Sequence, residues 1–294
     1  MWCWKSSSKQ SISGLARRLR RQNLGTVLGT ANVPLRAGLD HVSAELGVPS
    51  TGDMAITSEQ GYAGNRILEA MRSGVRYGNA IFTELCRAIP DDARTILDFG
   101  AGAGFFLEKF HAIGAAVDAV EPDEDFQAIL RPLAGMVWTD IRHVPNESFD
   151  FAYTVNVLEH ILELDEACAH LARVLKPNRK LFVFVPAHNV LWTSLDHEVR
   201  HVRRFDRRSL GLALERAGFR IEHIKYFDSL GFPAALAVRI LEIVNLFKYG
   251  SGSVGFYDRY LFPVSRQLDR LLKGTIGKNL IAIASRTGKA TSGP

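Results

Sequence analysis

The feature that most limits the fold of this chain is an alternation between residues 95 and 185. Short apolar runs at 95–99, 116–120, 135–138, 149–155 and 180–185 are separated by segments of helical period. The runs are almost uninterrupted by polar residues. A strand of that kind is buried on both faces, which requires a parallel sheet covered by helices on each side. An alternating run at 219–227 and a final apolar run at 279–285 extend the sheet. The expectation is therefore an α/β fold, Rossmann-like, with a seven-stranded, mostly parallel sheet and helices on both faces. Two apolar helical segments, about 230–247 and 256–272, fall between the last two strands and predict a two-helix insertion over about 228–277.

Local signals place the boundaries. A helical pattern runs from about Gly64, with Ile67, Leu68, Met71, Val75, Ile81, Phe82 and Leu85 at steps of three and four, a break expected near Gly78, and an end at Pro90. Pro177-Asn178 reads as the turn into the fifth strand. Asp206 is a helix N-cap, and Gly218 closes that helix.

Composition separates the two ends of the chain. The formal net charge is +5 over 294 residues, but residues 1–53 carry seven Lys/Arg against three Asp/Glu. The body is nearly neutral, which gives no electrostatic case for nucleic acid. Residues 1–58 read as a basic arm without sustained period, and 59–294 as the folded domain. The arm, with its serines and Arg17, Arg18, Arg20 and Arg21, has the composition of a disordered segment or an organellar presequence. Cys3, Cys86 and Cys168 are far apart and form no CxxC, as expected of a reducing compartment. A cytoplasmic location is expected, with organellar import or a membrane-peripheral position as alternatives. The sequence does not set the oligomeric state.

The chemistry concentrates in Asp98-Phe99-Gly100-Ala101-Gly102-Ala103-Gly104-Phe105, at the turn from the first strand to the first helix. Glycines there permit a tight turn and close approach of a ligand to the backbone. A dinucleotide site wants Gly-x-Gly-x-x-Gly, and Phe105 occupies the place of its last glycine. An acid two residues before the glycines suits an ammonium group better than a pyrophosphate. A nicotinamide-dependent oxidoreductase is the weaker alternative on these grounds. A non-catalytic cofactor- or partner-binding protein of the same fold is another.

This loop resembles the first motif of class I S-adenosylmethionine-dependent methyltransferases of the small-molecule type. The resemblance continues in order through Val120-Glu121-Pro122-Asp123, Thr139-Asp140-Ile141, Asn156-Val157-Leu158-Glu159-His160 and Leu175-Lys176-Pro177. It covers about residues 80–227. It implies S-adenosyl-L-methionine as cofactor, with Asp98, Gly100, Ala101, Gly102 and Gly104 along its methionyl part. Glu121 and Pro122 then sit at the ribose, Asp140 and Ile141 at the adenine, and Asn156 at the mouth of the site.

On the acceptor side, His197-Glu198-Val199-Arg200-His201 matches the HExxH zinc pattern. It follows a strand and a loop and has no third histidine at the expected spacing, so no metal is expected. The stretch from Asp196 to Phe205 instead resembles a segment of bacterial-type small-molecule methyltransferases, in which Gly usually stands where Arg200 does. His201, His197 and His160 are the candidates for removing a proton from an acceptor hydroxyl. Arg203 or Arg204 could bind an anionic acceptor group. The expected reaction is methyl transfer to a small or lipid-like acceptor, most readily at oxygen. The insertion reads as a lid over that acceptor, as a peripheral membrane contact, or as two helices packed on the core.

Overall fold

The computed structural model describes residues 74–244 and 251–288. The expected arm and the start of the first helical run lie outside the described residues. Seven strands form one sheet in the order β3-β2-β1-β4-β5-β7-β6. They are β1 (Ile96–Phe99), β2 (Asp118–Val120), β3 (Val137–Trp138), β4 (Phe149–Val155), β5 (Leu175–Pro186), β6 (Phe219–Phe227) and β7 (Asn279–Arg286). The first five pair in parallel, and β7 lies antiparallel between β5 and β6. This is the expected Rossmann-like sheet.

Helices α1 (Val75–Ala88), α2 (Phe105–Ala112) and α3 (Glu124–Leu130) precede β4, followed by α4 (Leu164–Val174), α5 (Ser194–Glu198) and α6 (Arg207–Arg216). Both faces of the sheet are covered, as the apolar runs require. Along β5, Leu181, Val183 and Val185 pack into one core with α4 and α6, while Phe182 and Phe184 pack into the other with α1 and α2. That alternation is the period-two geometry of a strand with no solvent face.

Two local readings need correction. Gly78 does not break α1, which runs through it; a Cβ there would lie 2.4 Å from the Phe105 ring, so the glycine serves close packing. Pro177-Asn178 lies inside β5 rather than before it. Leu175 pairs with Phe149 and Lys180 with Phe151, so residues 176–179 bulge out of a continuous strand, with Asn178 at φ 61°.

Residues 228–278 connect β6 to β7 and hold α7 (Gly231–Ile243), α8 (Ser251–Phe256) and α9 (Phe262–Leu272), with a π-helical turn at Tyr257–Leu261. Pro263 explains the wide turn: it has no N–H for the Arg259 carbonyl, and Arg76 Nη1 donates to that carbonyl instead at 3.0 Å. The segment is tied to the core. Asp258 accepts from the Arg76 and Tyr77 amides at 3.0 and 2.7 Å and so caps α1 from across the chain. Buried Asp228 accepts from Tyr257, Ser265 and the Gly231 amide.

Candidate active site

In the strand order, β1 leads to β2 on one side while β4 continues on the other. The crevice beyond the carboxyl ends of β1 and β4 is where such sheets bind ligands. Gly100 to Gly104 follow β1, and Asn156 to His160 follow β4, so the two segments face each other. Their contact is close: a Cβ on Gly100 would meet Val157 Cγ2 at 2.4 Å. The Gly100 and Ala101 amides donate to the Val120 carbonyl at 2.9 and 3.3 Å and fold the loop over the end of β2. Gly100, Gly102 and Gly104 all have positive φ, which accounts for three glycines in five residues.

Gly102 differs from the other two. A Cβ there would meet nothing within 4 Å, so its backbone borders open space. Two acids flank it. Glu121 Oε2 accepts from the Gly102 amide at 2.7 Å, and Oε1 from the Asp123 amide at 3.1 Å. Each oxygen keeps a lone pair for a further donor such as a hydroxyl. Burial raises the Glu121 carboxyl, against these two backbone bonds.

Asp98 is buried on β1 and accepts from the Tyr153 hydroxyl at 2.8 Å. Burial pushes its carboxyl up to about 8, the Tyr153 bond opposes this, and the Glu121 charge adds to it. Its ionised form therefore lacks a cation. An ammonium group would supply one. The open cradle at Gly102, the spare acceptors of Glu121 and the unpaired charge that Asp98 would carry at the end of β1 together fit a ligand with an ammonium group and vicinal hydroxyls, as S-adenosylmethionine has.

On the side expected to hold the adenine, the Asp140 carboxylate is already engaged. Asp140 caps the short turn Ile141–His143 through the Arg142 amide and is gripped by Arg142 Nε and Nη2 at 2.8 and 2.5 Å. Those Arg142 bonds hold its carboxyl down to about 2. Ile141 is buried, whereas Pro122 and Asn156 are exposed.

The acceptor-side loop is braced from within. Asp196 takes a fork from Arg204 Nε and Nη2 at 2.7 and 3.0 Å, and its Oδ1 lies 2.7 Å from His201 Nδ1. Burial opposes ionisation of Asp196, but the bonds to His201 and Arg204 hold its carboxyl far below the usual range. Arg204 is therefore committed to the loop and to the Ala187 carbonyl, and Arg203 donates to the Leu162 carbonyl. The Arg204 guanidinium is not arranged for an acceptor anion, whereas Arg203 keeps its Nε buried without a partner. His197 accepts from Trp192 Nε1 at 3.0 Å. His160 and His201 stand edge to face, their ring centres 4.8 Å apart. Burial and His201 lower the His160 imidazole, against hydrogen bonds to the backbone of Arg200 and Val199.

The two HExxH histidines thus go separate ways, and α5 ends before His201. The loop turns there through Arg200 at φ 59°. Sequence reading passed over Asp196, Tyr153 and Glu159 as functional groups. Tyr153 and Glu159 meet Asp98 and His201 from far along the chain, whereas Asp196 finds its partners within its own loop.

Comparison with known proteins identifies the family. Residues 71–224 match the model of the methyltransferase domain. The chain belongs to the class I S-adenosylmethionine-dependent methyltransferase family. It is 31% identical over 140 residues to the biotin biosynthesis bifunctional protein BioHC of Cellvibrio japonicus, covering 43% of this chain and 28% of that protein. It is 29% identical over 96 residues to a ubiquinone biosynthesis O-methyltransferase of Paramagnetospirillum magneticum, covering 30% and 39%. The matches thus span less than half the length of these relatives. A SAM-dependent methyltransferase from Thermotoga maritima shares the fold, with a TM-score of 0.51 and 15% identity over 76% of this chain and 95% of that one.

Two outcomes follow. Because Asp98 is held protonated to about pH 8 in the folded chain and only to about 4 when unfolded, the folded state binds the extra proton between those values. Stability of the ligand-free protein therefore falls through this site as pH rises from about 4 to about 8. Asp98→Asn removes that contribution, so denaturation midpoints of variant and wild type diverge in the variant's favour toward pH 8. Second, Arg200→Gly relieves a left-handed residue and raises stability by up to about 1 kcal/mol in urea unfolding.

Proposed function

We propose that the protein transfers the methyl group of S-adenosylmethionine to a small or lipid-like acceptor, at an oxygen atom. The open backbone cradle at Gly102 between Asp98 and Glu121 carries the reading. In it, Asp98 meets the methionyl ammonium and Glu121 the ribose hydroxyls. Gly100, Ala101 and Gly104 shape the wall, with Pro122 at the ribose rim. The adenine lies along Asp140 and Ile141, and Asn156 stands at the mouth. When bound, the cofactor supplies an electrophilic methyl carbon on a sulfonium, a good leaving group. The chain's task is then to align the acceptor with that carbon and exclude water.

The acceptor hydroxyl is activated at the corner made by His160 and His201. His201 is the better oriented of the candidates, because Asp196 fixes Nδ1 at 2.7 Å and leaves Nε2 directed toward Glu159, 3.8 Å from its Oε1. His197, paired with Trp192, has the weaker claim to a catalytic role. Oxygen as acceptor atom is supported by the ubiquinone biosynthesis O-methyltransferases among the relatives.

The test is transfer of labelled methyl from S-adenosylmethionine into a cell extract, with the product identified. A labelled small or lipid-soluble product should form with an equal amount of S-adenosylhomocysteine. His201→Ala should lower the rate by at least about tenfold with cofactor affinity unchanged. A protein that binds the cofactor yet releases no S-adenosylhomocysteine with any acceptor pool is a binding protein instead.

A lipid-like acceptor also accounts for the outer face of the β6–β7 segment. Ile240, Ile243, Val264 and Leu271 are more than half exposed there, close in sequence to Arg239, Arg270 and Lys273. Among the described residues no helix is long and apolar enough to cross a membrane, so the contact proposed is peripheral. The full chain should sediment with vesicles containing an anionic phospholipid, and Ile243→Asp with Leu271→Asp should abolish this. Wild-type protein left in the supernatant would remove the membrane from the account.

A further inference from the structure

Glu159 is fully buried, and neither of its carboxylate oxygens has a hydrogen-bond partner. Buried carboxylates elsewhere in the described chain are engaged: Asp98 by Tyr153, Asp150 by Lys176 and two backbone amides, Asp196 by Arg204 and His201. A buried acid left without partners is costly and calls for an explanation. His201 Nε2 lies 3.8 Å from Glu159 Oε1, too far for a hydrogen bond. One ligand atom from each of Glu159, His160 and His201 falls in a group whose members all lie within 4.8 Å of one another.

We propose that Glu159, His160 and His201 hold a divalent first-row transition-metal ion. Two imidazole nitrogens and one carboxylate oxygen suit zinc, manganese or iron, whereas magnesium and calcium prefer all-oxygen sets. Ligand atoms around such an ion stand about 2.0–2.2 Å from it, so the three donors draw inward on binding. His160 is exposed and His201 partly so, so an ion can reach both rings from solvent. The surroundings are those of a metal-bound histidine. Asp196 holds His201 Nδ1 at 2.7 Å, and Arg204 and the Thr193 amide in turn hold Asp196. A carboxylate behind a ligating imidazole fixes the tautomer and leaves Nε2 as the donor atom. The Val202 amide bonds to the Glu159 carbonyl at 2.9 Å and keeps the two segments in register.

This set is not the HExxH pair. His197 is outside the group and bonded to Trp192, so the metal expected to be absent from that motif is proposed for another combination that only the fold assembles.

Three protein ligands leave positions open, as at catalytic rather than structural sites. Glu159 lies two residues beyond Val157, the residue packed on Gly100. Resting on the methyl-transfer reading above, the ion would bind the acceptor hydroxyl and lower its pKa. The hydroxyl proton leaves to solvent and the oxygen bonds to the methyl carbon. The carbon–sulfur bond breaks with its electron pair on sulfur, giving S-adenosylhomocysteine. His201 then acts as a ligand rather than a base.

The test is calorimetry on the full chain, stripped by chelator and titrated separately with zinc chloride, manganese chloride and S-adenosylmethionine. The expected result is saturable binding of about one ion per chain, weakened by about tenfold or more in Glu159→Gln and in His160→Gln, with cofactor affinity unchanged in both. His160 is exposed, so its variant keeps the test open should Glu159→Gln fail to fold. Wild type that binds no ion, or a folded variant that binds it as wild type does, overturns the proposal. Cofactor binding without ion binding removes the metal alone; ion binding without cofactor binding removes the methyl-transfer reading and leaves the metal site standing.

Discussion

The reversal of strand order between β1 and β4 is the constraint on which the rest of the molecule depends. With β2 and β3 on one side of β1, and β4 and β5 on the other, the connections leaving β1 and β4 diverge at one end of the sheet. Backbone is free to turn there and meet a ligand. The three positive-φ glycines of the loop are affordable only in that gap. Gly100 must admit Val157, and Gly104 must admit Leu130 at 2.8 Å from a would-be Cβ, while Gly102 alone borders open space. A wall of close contacts around one unfilled position is a mould for a ligand, and the two acids beside it define the ligand's chemistry.

The second level of organisation is a set of buried charges that hold irregular segments in place. Asp196 gathers Arg204, His201 and the Thr193 amide, so the long connection after β5 has a fixed shape although it carries little regular structure. Asp258 and Asp228 do the same for the segment between β6 and β7. These carboxylates are paired, and removing a partner would strand the charge. Asp98 and Glu159 stand apart. Burial raises both to about 8. Stability is given up at these two places, and the proposed cofactor ammonium and the proposed metal ion would each supply the missing charge.

Much of this was legible in the sequence because burial on both faces leaves a pattern no other element shares. The run 149–155 predicts β4 to the residue, and Asp206 and Gly218 bound α6 as their capping chemistry requires. Failures came where one residue type has two uses. Gly78 was read as a helix breaker, but its small size admits the Phe105 ring. Pro177-Asn178 carries a turn signature, yet the pairing of β5 with β4 resumes on both sides of it. Motif spacing singles out the loop Gly100 to Gly104 and, at the end of β2, Glu121, which the fold brings together. The pairing of Glu159 with His201 spans 42 positions and leaves no local signal. The HExxH spacing points instead to a helix that ends too soon to use it.

The central claim is that the space beside Gly102 is the S-adenosylmethionine site. Titration calorimetry of the cofactor into wild-type protein and Gly102→Val tests it most directly. The Cβ of that valine would meet nothing within 4 Å, but the φ of 52° strains the backbone there, so the variant's own unfolding is measured beside its binding. The account predicts one saturable site in the wild type, no response to NAD, and loss of S-adenosylmethionine binding in a variant that still unfolds cooperatively. Undiminished binding in Gly102→Val, or binding of NAD in place of S-adenosylmethionine, would contradict it.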